Sequence, residues 1–180
     1  MLREAERRIQ AAKTEPAKRQ AIRDHCILVT LLNTGLRVSE LIDLELSDIS
    51  ITDRKGELLV RAGKGTRQRV IPLNNPDRKA LKAWFDVRPE TALPKVFITQ
   101  RGAITSRAVQ TLLADIGKRA RIQKMTPHMA RHTFAKNLVN LGVTLEKVAM
   151  LLGHTSLDTT MVYTTPGMSD LEQSVRVLDD

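Results

Sequence analysis

Residues 57–73, E-L-L-V-R-A-G-K-G-T-R-Q-R-V-I-P-L, decide the fold. On either side of this stretch apolar residues recur at helical spacing. Within it the period drops to two. E-L-L-V-R-A and R-Q-R-V-I-P-L flank G-K-G-T, where Gly63 and Gly65 supply the permissive backbone of a hairpin turn. Pro72 closes the second strand. The pattern predicts an α+β domain, mainly α, with one small antiparallel β-sheet inserted after the third helix.

Upstream of the hairpin, Leu2, Ala5, Ile9 and Ala12 mark a short basic amphipathic helix, expected to end near Pro16. A core helix is expected over about 18–32, with Gly35 at its end, and a third from near Ser39, carrying Leu41, Ile42 and Leu44. Ser47-Asp48 and residues 53–56 read as turns. Downstream, a helix is expected over 77–85, and Val96, Phe97 and Ile98 suggest one more strand. Val109, Leu112, Leu113 and Ile116 share one face of a helix over 106–121. Thr126-Pro127 resembles a cap followed by proline at the first helical position, and Gly142 breaks the helix it opens. Residues 145–152 form a short helix ended by Gly153. Met168, Leu171, Val175 and Leu178 set a final apolar stripe.

At 180 residues the chain suits one domain, with no internal repeat and no obvious linker. Twenty-nine Lys and Arg against 20 Asp and Glu leave a net charge of +9, which favours a polyanionic partner, above all nucleic acid. The single cysteine, Cys26, excludes an internal disulfide and lies in an apolar run, so it reads as a buried, inert thiol. No apolar stretch approaches membrane-spanning length, and the N-terminus lacks a signal-peptide core. A soluble, cytoplasmic protein is expected.

Four separated clusters hold the reactive side chains. T-G-L-R-V-S-E-L places Glu40 three residues after Arg37. The G-K-G turn carries Lys64, with Arg67 and Arg69 following. H-M-A-R-H sets His128 and Arg131 on one helical face. L-L-G-H-T-S-L-D-T-T-M-V-Y runs from Leu151 to Tyr163 and contains His154; Tyr163 is the only tyrosine in the chain. Singly, each has a plain reading. Arg37 and Glu40 make a local ion pair, Lys64 a solvated turn lysine, His128 and His132 half a zinc site, and Tyr163 a packed aromatic. Together they meet one chemical demand. Attack on a phosphodiester builds charge that two arginines can neutralise with bidentate donors. A lysine can protonate the expelled oxygen, histidines can move a proton or hold the phosphate, and cationic neighbours can activate a tyrosine hydroxyl.

These four clusters, in this order and spacing, resemble the boxes of the tyrosine recombinases, the phage integrase family, from about residue 17 onward. One departure is Ala130, where the third box commonly carries leucine; altered packing rather than altered chemistry is expected. The resemblance implies the catalytic-domain fold of that family. It assigns Arg37 and Arg131 to the scissile phosphate, Lys64 as general acid, His128 to proton transfer, His154 to the phosphate and Tyr163 as the nucleophile of a 3′-phosphotyrosyl link. Glu40 would orient Arg37, and His132 would be structural. Neither metal nor other cofactor is implied. Double-stranded DNA is the expected partner, contacted further by Arg67, Arg69, Lys118, Arg119, Arg121 and Lys124. Self-association on DNA, as dimer or tetramer, is expected, with residues 167–180 docking on a neighbouring subunit or on their own core. Residues 1–180 would then be one catalytic domain behind a basic lead-in helix, without the family's N-terminal clamping domain, more readily a piece cut at a domain boundary than a minimal enzyme. The competing readings are a type IB topoisomerase and a non-catalytic DNA-binding relic.

Overall fold

A computed structural model describes residues 1–63, 68–122 and 124–153. The chain is organised on α2 (Glu15–Thr34), whose Cys26, Ile27, Leu28, Val29 and Leu31 are all buried. Such a run has no polar face to spare, so helices pack around it. Burial pushes the Cys26 thiol well above its ordinary value, as an inert core thiol requires. α1 (Leu2–Ala11) lies across α2 with Ala5 buried. Arg8 pins it by reaching Asp24 on α2 at 3.8 Å and Asp115 on the later helix α5 (Ser106–Arg119) at 3.5 Å.

The first helix stops at Ala11, short of the expected Pro16. The reason is the start of α2. Thr14 accepts a hydrogen bond from the Ala17 N–H, which makes it the cap and puts Pro16 in the first turn, where a missing N–H costs nothing. α2 ends at Gly35, in the left-handed region at φ 64°. α3 (Val38–Asp43) follows at once.

The sheet has three strands, not two. β1 (Ile49–Ile51), which the pattern does not predict, pairs antiparallel with β2 (Gly56–Val60), and β2 pairs with β3 (Arg69–Pro72) in the expected hairpin. Leu58 faces Ile71 across the ladder, and both are buried. A 3-10 turn, Leu46–Asp48, leads into β1, and Arg61 at the base of the hairpin bonds Asp48 at 2.7 Å.

α4 (Asn75–Val87) packs on α2 and buries Trp84. The run 96–98 is strand only at its end, where β4 (Ile98–Thr99) pairs with β5 (Gly102–Ala103). Val96 serves a different purpose. Its N–H donates to the Leu44 carbonyl, and its own carbonyl accepts from the Trp84 indole (2.9 Å) and from Arg88 (3.2 Å). α5 ends two residues before the expected Arg121, which stands beyond it at φ 58°. α6 (Pro127–Asn140) is capped by Thr126, as its sequence implies, and α7 (Leu145–Leu152) ends on Gly153. Among the described residues no helix is long and apolar enough to cross a membrane.

Candidate active site

Arg37 sits at the corner where α2 turns into α3. Glu40, one helical turn on, takes both its backbone N–H (2.8 Å) and its guanidinium (3.1 Å). The Arg37 side chain remains 36% exposed, so Glu40 orients it while leaving donors toward solvent. Burial works to raise the Glu40 carboxyl. Hydrogen bonds from Arg69 and Arg37, with the two guanidinium charges, outweigh that and hold it below the usual carboxylate range.

Arg131 approaches the same corner from α6. It is 4% exposed, and its guanidinium donates to the Gly35 carbonyl at 2.7 Å and to the Leu152 carbonyl at 2.9 Å. One side chain therefore fastens the end of α2, the start of α6 and the end of α7. Gly35 is the residue that permits this approach. A Cβ there would land on the Phe134 ring and within 2.8 Å of Leu152, and its φ of 64° already disfavours other residues. His128 precedes Arg131 by one turn, on the same face of α6, and is exposed. Among the described residues no group of three or more His, Cys, Asp or Glu stands together in a way that could hold a metal ion.

Arg69 departs from its expected place. Its side chain is not an open surface cation but is 7% exposed and forks onto Glu40, at 3.0 and 2.9 Å, while its Nε donates to the Leu151 carbonyl at 2.7 Å. Strand alternation holds the signal that finds it: Arg69 shares a face of β3 with buried Ile71, between exposed neighbours. Lys118, Arg119, Arg121 and Lys124 are exposed at the end of α5 and beyond it, with Arg119 paired to Asp115. Lys64, Arg67, His154 and Tyr163 lie outside the described residues, as do residues 167–180.

The described half of the site is thus two arginines converging on one corner, one held by a carboxylate and the other by backbone carbonyls. A helical domain with an inserted three-stranded sheet and this arginine pair defines a class, and known proteins supply its name. A model of the phage integrase family matches residues 2–169, and the chain belongs to that family. The tyrosine recombinase XerA of Pyrococcus furiosus is 36% identical over 165 residues, covering 89% of this chain and 56% of that protein. XerC of Corynebacterium glutamicum is 43% identical over 147 residues, covering 79% of this chain and 46% of that one. A crystal structure of XerA recombinase superposes with a TM-score of 0.79 at 32% identity, over 99% of this chain and 64% of that one. The chain spans about half the length of the curated relatives it matches.

Proposed function

We propose that this chain is the catalytic part of a site-specific DNA recombinase that cuts and rejoins strands through a covalent tyrosine link. The observation that carries the reading is the convergence of Arg37 and Arg131 on the corner at Gly35. Two guanidinium groups fixed by protein partners are preorganised for the nonbridging oxygens of a phosphate, so little reorganisation accompanies charge build-up. The family, and relatives named as tyrosine recombinases, support strand exchange over simple relaxation.

In this reading the Tyr163 hydroxyl oxygen attacks the phosphorus. The bond to the 5′ oxygen breaks, and a 3′-phosphotyrosyl bond takes its place. His128 helps remove the phenol proton, Lys64 protonates the departing 5′ oxygen, and His154 holds the phosphate. One phosphoester is exchanged for another, so the step needs neither ATP nor an added oxidant or reductant. DNA is the partner, and assembly on it as dimer or tetramer follows from the need to exchange strands between two duplexes.

A pool of nicked duplexes with randomised centres tests this without knowledge of the target sequence. Low-salt incubation should trap a covalent adduct whose tryptic map carries DNA on Tyr163. Tyr163→Phe should trap none. Arg37→Lys should slow trapping by about 10²–10³-fold, the usual effect of losing one charge-stabilising donor. If the unaltered chain traps nothing from the pool, the strand-cleaving reading of this chain fails.

A further inference from the structure

We propose that Arg69 is a positioning residue that couples the phosphate-binding corner at Arg37 to the end of α7, the segment that leads into His154. The inference rests on the strand-cleaving reading for its functional meaning, but its structural content stands separately.

Three observations carry it. First, Arg69 and Glu40 form a bidentate, almost fully buried pair, and the same two carboxylate oxygens bind Arg37. Glu40 is therefore not a private partner of Arg37. It is the shared node of two arginines, and its orientation is set by the more deeply buried one. Second, the remaining Nε of Arg69 takes the Leu151 carbonyl, next to the Leu152 carbonyl that Arg131 takes. The last carbonyls of a helix lack intrahelical donors and carry the negative end of its dipole, so two guanidinium groups fix the position of α7. Third, Gly153 is shaped to Arg69. A Cβ there would stand 2.8 Å from its Nη1, so the glycine leaves room for the guanidinium as well as turning the chain at φ 67°.

Arg69 also begins β3, directly after the hairpin segment that bears Lys64. A single side chain thus links the hairpin, the Arg37 corner and the approach to His154. A surface lysine or arginine reading phosphate would do none of this. Lysine cannot replace it, since an ammonium offers no planar fork to hold both oxygens of Glu40 while keeping the Leu151 bond.

The test measures two things on the same 180-residue chain. Arginine side chains labelled with 13C and 15N report the Arg37 guanidinium, assigned by its disappearance in Arg37→Lys. In the unaltered chain, Arg37 should show slowed guanidinium rotation. In Arg69→Met it should collapse to the solvent-averaged signal. Adduct formation on the nicked pool, per folded molecule, should fall by about 10²-fold, the scale of a misplaced reactive group, with Arg69→Lys recovering only part. The pH profile of Arg69→Met should gain an acid-side fall, because Glu40 loses its principal counter-charge.

A residue with a merely structural role would lower the melting temperature yet leave the Arg37 signal and the rate per folded molecule unchanged, which overturns the proposal. So does a loss of duplex affinity with an unchanged trapping rate at saturation, the mark of a phosphate contact. If the unaltered chain forms no adduct, the strand-cleaving reading fails, and the Arg37 signal still decides the role of Arg69. If Arg69→Met does not fold, Gly153→Ala displaces the same guanidinium by steric contact and should perturb the same signal; an unperturbed signal there rejects the coupling.

Discussion

Asp77 lies outside the site and tests the electrostatics of the core. It is fully buried in the first turn of α4, and neither of its carboxylate oxygens has a hydrogen-bond partner among the described residues. Burial, with no donor bonded to either oxygen, pushes its pKa to about 7. The unfolded chain binds that proton near the ordinary value of 3.8, so between these limits the folded state holds more proton than the unfolded one. Stability from this group is complete below about pH 4 and is lost as pH rises through 7. Asp77→Asn removes the slope. The variant should match the parent in urea midpoint near pH 4 and exceed it near pH 8 by a few kcal/mol at most, on the order of 1.4 kcal/mol for each tenfold difference in proton affinity between the folded and unfolded chains. Equal midpoints at both pH values would refute the buried-carboxylate account. Trp84, the single tryptophan, is buried against α2 and Val96 and serves as the fluorescence reporter.

At the scale of elements, the corner between α2 and α3 carries most of the site's geometry. Gly35→Ala attacks it without touching a charged group. The new Cβ meets the Phe134 ring and Leu152, and alanine resists the left-handed backbone. The cost should be about 2–4 kcal/mol in urea unfolding, combining left-handed strain and overpacking. The Gly35 carbonyl should also shift from Arg131, so phosphate-directed chemistry should weaken more than Tm alone would suggest. A variant with parental stability would show that the corner relaxes freely.

This corner also shows what the sequence makes legible. Glu40 three residues after Arg37, and Arg131 three after His128, are local spacings, so pattern alone places each pair on one face. The cap at Thr126 and the end at Gly153 are local too. The place of Arg69 is not legible in this way, because its partners stand 29 and 82 residues away and only the folded chain brings them together. β1 escapes for another reason. Ile49–Ile51 is three residues long, too short for an alternation to register, and its strand character comes from β2 beside it. Likewise Val96 looks like strand by composition, but Leu44, Trp84 and Arg88 claim its backbone groups.

For the whole molecule, the net charge of +9 has to be divided before it predicts anything. Arg69 and Arg131 are buried and spend donors on Glu40 and on backbone carbonyls, Arg23 is turned onto Asp24, and Arg8 onto Asp24 and Asp115. The charges of Arg69, Arg23 and Arg8 are spent within the fold and should release no counterions from a duplex, whereas Arg131 is kept for the scissile phosphate in the proposed reading. Lys118, Arg121 and Lys124 are exposed around the end of α5 and remain available to phosphates. Binding to a short duplex of arbitrary sequence should therefore weaken linearly in log–log form as salt rises from about 50 to 200 mM, with a slope of roughly −0.9 per phosphate engaged. Lys124→Ala should make that slope shallower by about one contact. Arg69→Met, removing the same formal charge, should leave it unaltered. Equal changes for both variants would mean that a buried arginine reaches the duplex, and would require the interior of the site to open when DNA binds.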